Sequence, residues 1–281
     1  MSDFGIRLTI LLNQLANSIG QLLLSPIGLL PEYAGAVLVA TVTGILMLIG
    51  FKYSSPQSTI KKIRNGIKAE LLALSLFKDS VTVNLISQIK IVLGAVQSIL
   101  VSLIPIACMI VPVTLVLGQL SLWWQVRPLH VDEEAVITVN LAGNEDSSWP
   151  SVNLHPSSSI ASTLGPVRIR SKRAICWNIV AKEPGYHRIL FDVDGQEIEK
   201  QFVIGNSPMR VSIRRPEWKW TDIVLHPAEA PFLPQSPVKS IEIQYPSTSS
   251  WIAGSNSWLA FWFIGSTITA FCLRGVFNVN L

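Results

Sequence analysis

The stretch Gly50–Asp79, GFKYSSPQSTIKKIRNGIKAELLALSLFKD, decides how the rest of the chain is read. It carries Lys52, Lys61, Lys62, Arg64, Lys68 and Lys78 against Glu70 and Asp79, and it lies between two long uncharged runs. Before it, Ala34 to Phe51 gives 18 residues without a charge; after it, Ile91 to Val126 gives 36, and a third run, Tyr245 to Leu273, gives 29. A helix rises about 1.5 Å per residue and the hydrocarbon layer is about 30 Å thick, so each run is long enough to span a bilayer. The composition agrees. Of 281 residues 49% are hydrophobic and 14% charged, where soluble domains carry about 25% charged residues.

The charges orient the spans. The loop from Lys52 to Lys90 is strongly basic, whereas residues 125–250 hold 13 basic against 14 acidic side chains, a near balance. The positive-inside rule therefore places 52–90 in the cytoplasm and both the N-terminus and 125–250 on the other side, and Arg274 returns the C-terminus to the cytoplasm. The expected organisation is an outer helix over 1–31, spans over 32–52, 91–126 and 247–275, a basic cytoplasmic helical hairpin over 53–90, an extracytoplasmic β-domain over 127–246 and a tail from 276. The location expected is the bacterial cytoplasmic membrane, with 127–246 in the periplasm. The basic residues lack interleaved aromatics, which excludes a sequence-specific nucleic-acid reader.

Inside the basic stretch, Ile60, Ile63, Ile67, Leu71 and Leu74 follow the spacing of one helical face, and Lys61, Lys62, Arg64 and Lys68 form the opposite one. Pro56 suits the helix start. A second apolar series, Val81, Leu85, Ile89 and Val92, runs without a breaker into the second span. The basic face is suited to anionic headgroups or to a ribosome. Asp3 argues against a secretory signal. Leu8, Leu11, Leu15, Ile19 and Leu22, with Asn13, Gln14, Asn17, Ser18 and Gln21 elsewhere on the wheel, give an amphipathic helix in the outer interface or a helix packed on the spans.

Ala36, Ala40 and Gly44 make a small-residue face on the first span, suited to close approach of another helix. In the second run Gly94, Gln97, Ser98 and Ser102 cluster on one side, with Pro105 and Pro112 following. Such a polar strip requires protein or water beside it. On the third span the hydroxyls of Ser266, Thr267 and Thr269 are expected to bond to the helix backbone.

After Trp123 and Trp124, which suit the interface, the pattern changes to short strands. AVITVNLAG, VRIRSK, AICWNIVAK, HRILFDVDGQEIEKQFVIG, MRVSIRR and KSIEIQYP are separated by turn residues. Asp194–Gly195 marks a tight hairpin. The spacing fits a β-sandwich, with EPGYHRILFDV like the corner of an immunoglobulin-like fold. The proline-rich RRPEWKWTDIVLHPAEAPFLPQSP is expected to be an extended arm that wraps the sandwich or meets a partner.

Chemistry is sparse. His130, His155, His187 and His226 show no metal-ligand spacing. Asp132, Glu133 and Glu134 read as a solvated boundary, and Cys108, Cys176 and Cys272 suggest no disulfide framework. No span holds an interior charge, against a pump or proton relay. No catalytic residue, metal or cofactor is expected.

The order of parts, together with LLLSPIGLLPEYAGAVLVATVTGILMLIGFKYSSPQSTIKKIRNGIK, resembles the Oxa1/YidC superfamily of membrane-protein insertases, including its TMCO-type and archaeal YidC-like relatives. The resemblance covers residues 4–124 and 251–275. It implies a cytoplasm-open polar groove between the spans, to which Thr41, Gln97, Ser98, Ser102 and Thr267 would contribute. Bacterial members place a basic residue in that groove. Here the nearest are Lys52 and Lys90, at the edges of the spans, and the β-domain is an addition to the minimal pattern. Two functions follow as expectations: an insertase-like or assembly factor for membrane proteins, and, alternatively, an accessory subunit of a larger membrane complex held through Ala36, Ala40, Gly44 and the outer domain. Partners expected are the bilayer and other membrane proteins.

Overall fold

The computed structural model describes residues 3–77, 80–144, 147–248, 257–277 and 279. Lys78 and Asp79, residues 249–256 of the third uncharged run including Trp251, and most of the tail lie outside the described residues. The protein is α+β, with helices and antiparallel sheets. It divides into two compact units, Met1–Ala36 with Thr114–Ala260, and Val37–Val113 with Phe261–Leu281.

Among the described residues six α-helices are formed: α1 (Asp3–Leu24), α2 (Glu32–Ser54), α3 (Gln57–Leu76), α4 (Val81–Trp124), the short α5 (Trp220–Leu225) and α6 (Ser257–Leu273). Two of them, α2 and α4, are long and apolar enough to cross a membrane, and α6 is a shorter apolar helix. The helix that starts at Val81 runs on through residue 90, in line with the unbroken apolar series. α4 is one helix of 44 residues with Pro105 and Pro112 inside it, because nothing between Val81 and Trp124 competes strongly enough with continued backbone bonding.

The second unit is helical. α3 begins after Pro56, and its inner face of Ile60, Ile63, Ile67 and Leu74 is wholly or partly buried. Leu71, expected on that face, is exposed. α3 and the first half of α4 run antiparallel. A Cβ on Gly94 would sit 2.8 Å from Ile67, while Glu70 accepts from Lys90 Nζ at 3.0 Å and from the Ser87 hydroxyl at 2.9 Å. Farther along α4, Met109 lies against Gly50 of α2.

The first unit is built on a β-domain. Its strands are β1 (Glu134–Leu141), β2 (Val152–Leu154), β3 (Ile160–Ile169), β4 (Ala174–Ala181), β5 (Gly185–Val193), β6 (Gln196–Ile204), β7 (Arg214–Arg215) and β8 (Val238–Ile243). They form a five-stranded sheet, β3-β4-β1-β8-β7, and a three-stranded sheet, β2-β5-β6. Alternation decides which side chains face inward. β1 and β4 are buried at every second residue, so Ile137, Val139, Ile175, Trp177 and Ile179 meet Ile189, Phe191, Phe202 and Ile204 of the other sheet in one apolar core. Trp177 lies against Phe191 with ring centroids 5.6 Å apart.

The β5–β6 hairpin pairs Val193 with Gln196 across Asp194 and Gly195. Both turn residues have positive φ, 50° and 81°, the combination a type I′ turn requires. The segment MRVSIRR pairs as a strand only at Arg214–Arg215. The proline-rich arm is not wholly extended either: it winds into α5, and Phe232 then enters the core.

Candidate functional site

The α3–α4 hairpin carries the basic face read from the sequence. Lys61, Lys62, Arg64 and Lys68 are all exposed on α3, opposite the buried isoleucines, as an amphipathic helix demands. Lys90 is occupied by Glu70, and that contact with Lys90, reinforced by Ser87, holds the Glu70 carboxyl below its ordinary range.

The half of α4 beside α3 has two faces. The inner one carries Ser87, Ile91, Gly94, Ser98, Val101, Ser102 and Pro105, all wholly or partly buried. Ser98 shares the side of Gly94, one turn on, and Ser102 donates to the Ser98 carbonyl at 2.8 Å. Of these, Ser87 and Gly94 meet α3, through Glu70 and Ile67. The outer face carries Leu85, Ile89, Val92, Val96, Ile99 and Leu103, every one exposed. Their steps of four and three repeat at about 3.5 residues, and Ile86, Leu93, Leu100 and Ile104 beside them are exposed as well.

The five residues expected to line a groove are not brought together. Gly50 against Met109 and Gly94 against Ile67 fix the antiparallel register. Gln97 lies 12 residues from Met109 toward the start of α4, and Thr41 lies nine residues from Gly50 in the opposite axial direction. At 1.5 Å per residue they are about 30 Å apart along the bundle. Gln97 is exposed, and Ser98, Ser102, Thr41 and Thr267 are half-buried. Ser102 bonds to the carbonyl of Ser98 on its own helix, as small hydroxyl side chains in apolar helices do.

The small-residue face is filled from within the chain. Ala40 is 2% exposed; a Cβ on Gly44 would stand 2.6 Å from the Ser266 carbonyl oxygen, and one on Gly265 would stand 3.0 Å from Ala40. Ala36 is also buried. Trp262 Nε1 donates to the Thr43 hydroxyl at 2.9 Å, and Thr43 donates in turn to the Val39 carbonyl at 2.7 Å. Ser266 and Thr269 bond to carbonyls of α6. α6 thus occupies the face that the sequence offers to another protein.

A cluster that sequence reading missed lies in the β-domain. Lys200, on an inward position of β6, is completely buried. Its ammonium donates to Glu229 Oε1 at 2.6 Å, the Ser212 carbonyl at 2.7 Å and the Gln201 carbonyl at 3.1 Å. Glu229 also accepts from the Gln201 amide at 3.0 Å and from the Ser212 hydroxyl. Burial drives the lysine pKa below its ordinary value, and Glu229 opposes that drive. The only signal in the sequence was the period-two alternation of β6, which puts Lys200 in register with Ile198 and Phe202. The pair ties the proline-rich arm to the sandwich.

In the acidic triplet Asp132 and Glu134 are exposed and Glu133 is partly buried, and each has its own partner. Arg127 donates twice to Glu133 at 2.7 Å, Asp132 pairs with Lys182 at 2.7 Å, and Glu134 accepts from Asn178 at 2.9 Å. The Arg127 contact holds the Glu133 carboxyl below the usual range. Among the described residues no group of three His, Cys, Asp or Glu side chains could hold a metal ion. No family model, curated protein or solved structure matches this chain.

Proposed function

We propose that this chain is a non-catalytic membrane protein that holds an apolar helix of another membrane protein along its α3–α4 hairpin, in the manner of an assembly factor. In this reading α2, the second half of α4 and α6 are spans, with the N-terminus outside and the C-terminus inside. The β-domain then lies on the periplasmic side of a bacterial cytoplasmic membrane.

The observation that carries the reading is the length of exposed apolar surface on α4. Its 44 residues rise about 66 Å, roughly twice the hydrocarbon thickness. About 20 residues at the Trp123–Trp124 end of α4 are enough for a span. The remainder stands next to the charged α3, outside the hydrocarbon, and displays the seam from Leu85 to Leu103 to water. A helix with its own apolar stripe would cover that seam. The exposed Lys61, Lys62, Arg64 and Lys68 suit the anionic headgroups or ribosomal surface that such work brings near. The resemblance to Oxa1/YidC insertases favours a succession of clients. The scattering of Thr41 and Gln97 favours the alternative, a fixed accessory subunit.

Purification from native membranes in mild detergent, followed by identification of what co-migrates, tests the proposal. A substoichiometric mixture of membrane proteins supports the assembly factor. A constant set that survives a salt wash makes the chain a subunit. Disrupting the exposed seam with Ile89→Asp and Val96→Asp together is expected to release either kind of partner; unchanged co-migration would sink the hairpin as the binding element.

A further inference from the structure

α1 has its amphipathicity inverted relative to a helix that covers a soluble domain. Two of its amide side chains, Asn13 and Asn17, face the protein, while Gln14, Ser18 and Gln21 are exposed beside the aliphatic face. Asn13 donates to the Ile223 carbonyl of α5 at 2.9 Å and Asn17 to the Pro227 carbonyl at 2.8 Å. Asn17 Oδ1 accepts from Gln119 of α4 at 2.9 Å and from Arg210 at 3.0 Å. Ile6, Asn13, Gly20 and Leu24 are the buried residues. On the other side Phe4, Leu8, Leu11, Leu15, Ile19 and Leu22 are exposed, Leu15 by 62% and Leu22 by 77%. On a wheel of 3.6 residues per turn the two faces are centred about 170° apart. In water this arrangement would expose aliphatic surface and hide amide groups, the reverse of what stabilises a helix.

The depth at which α1 sits supplies the occupant. Gly20 touches Gln119, close enough that a Cβ there would lie 2.5 Å from Oε1. Gln119 is four residues, about 6 Å, from Trp123 and five from Trp124. Trp124, partly exposed at the end of α4, suits the boundary between headgroups and acyl chains, while Trp123 is buried against Gly28. A helix crossing α4 one turn inside that boundary, with an uncharged aliphatic face turned outward, lies in lipid. The Ile27–Leu29 turn that follows continues the surface through exposed Leu29 and Leu30 and leads directly into α2.

We infer that α1 is a bracket between the β-domain and the outer leaflet: its asparagines grip the proline-rich arm, and its leucines sit among lipid acyl chains, so the domain is held against the membrane surface. This inference rests on α2 and α4 being spans. It adds that the β-domain is a membrane-surface domain anchored through the arm, with Lys200–Glu229 fastening the arm to the sandwich from the other side.

The test uses the full chain with its three cysteines replaced, reconstituted in vesicles of phosphatidylethanolamine and phosphatidylglycerol, with a fluorophore on a single new cysteine. Leu15→Cys and Leu22→Cys are expected to be quenched several-fold more strongly by a nitroxide on the acyl chain than by aqueous iodide, and Gln14→Cys to show the opposite order. Leu46→Cys on α2 is the control for the span itself. Iodide quenching at 15 and 22 with acyl-chain quenching at 46 overturns the bracket and leaves the spans intact. Protection of 15 and 22 from both quenchers, with cross-linking to another polypeptide, overturns it in favour of a protein occupant. Failure at 46 overturns the membrane reading as a whole.

Discussion

Replacing Lys200 by Met removes a buried cation while keeping an unbranched side chain of similar length. The loss strands Glu229, whose side chain is 7% exposed, with only the Gln201 amide and the Ser212 hydroxyl as donors. It also leaves the Ser212 and Gln201 carbonyls without the ammonium. Removing one partner of a buried pair costs about 3–5 kcal/mol, a large part of the roughly 5–15 kcal/mol that holds a domain folded. Hydrogen exchange of β6 amides in the full-length protein reads this directly. At about 1.4 kcal/mol per decade, Lys200→Met is expected to speed their exchange by roughly two to almost four decades. The companion Lys200→Met/Glu229→Gln retains a neutral acceptor for the Gln201 amide and removes the stranded charge, so it is expected to exchange more slowly than the single variant. The same loss frees the arm, and amides of α1 near Asn13 and Asn17 should exchange faster in parallel. Acceleration below about tenfold in the single variant, or a double variant no better than it, would refute the assignment of the pair as the arm's fastening.

Three further outcomes follow from the packing. Gly44→Leu forces α2 and α6 apart and is expected to cost about 1–3 kcal/mol, seen as a lower thermal midpoint in detergent, whereas Gly66→Ala, in open space on α3, should leave that midpoint unchanged or raise it. Glu133 has its folded pKa lowered by Arg127, so its contribution is fully present above the ordinary carboxylate pKa of about 4.3 and lost as the pH falls through the lowered value. After allowance for solvent screening that contribution is about 1 kcal/mol, and Glu133→Gln should flatten the acid limb of a stability–pH titration by that amount. Gly195→Ala places a Cβ on a residue with φ of 81° and should destabilise the β5–β6 hairpin by about 1 kcal/mol, measurable by exchange at Val193 and Gln196.

Much of the chain's local structure is written in spacing and charge. Uncharged runs set α2 and α4, Pro56 and the isoleucine spacing set α3, alternation set β1 and β4, and Asp194–Gly195 set the turn, because each depends on residues adjacent in the chain. What those faces meet is a property of the fold. Ser87 and Gly94 are small residues on one face of α4, and only the antiparallel register with α3 brings them to Glu70 and Ile67. Ala40 and Gly44 offer a close approach to any helix, and only the fold supplies α6. The period-two pattern put Lys200 inside, but its stability there depends on Glu229, 29 residues later on an arm whose path no local pattern describes. α1 was readable as amphipathic, yet which face turned to protein was not, since that choice rests on the carbonyls of Ile223 and Pro227, more than two hundred residues away. Short-range geometry follows from neighbouring residues; the pairing of distant polar groups is decided by the whole chain finding the arrangement that leaves fewest of them unsatisfied.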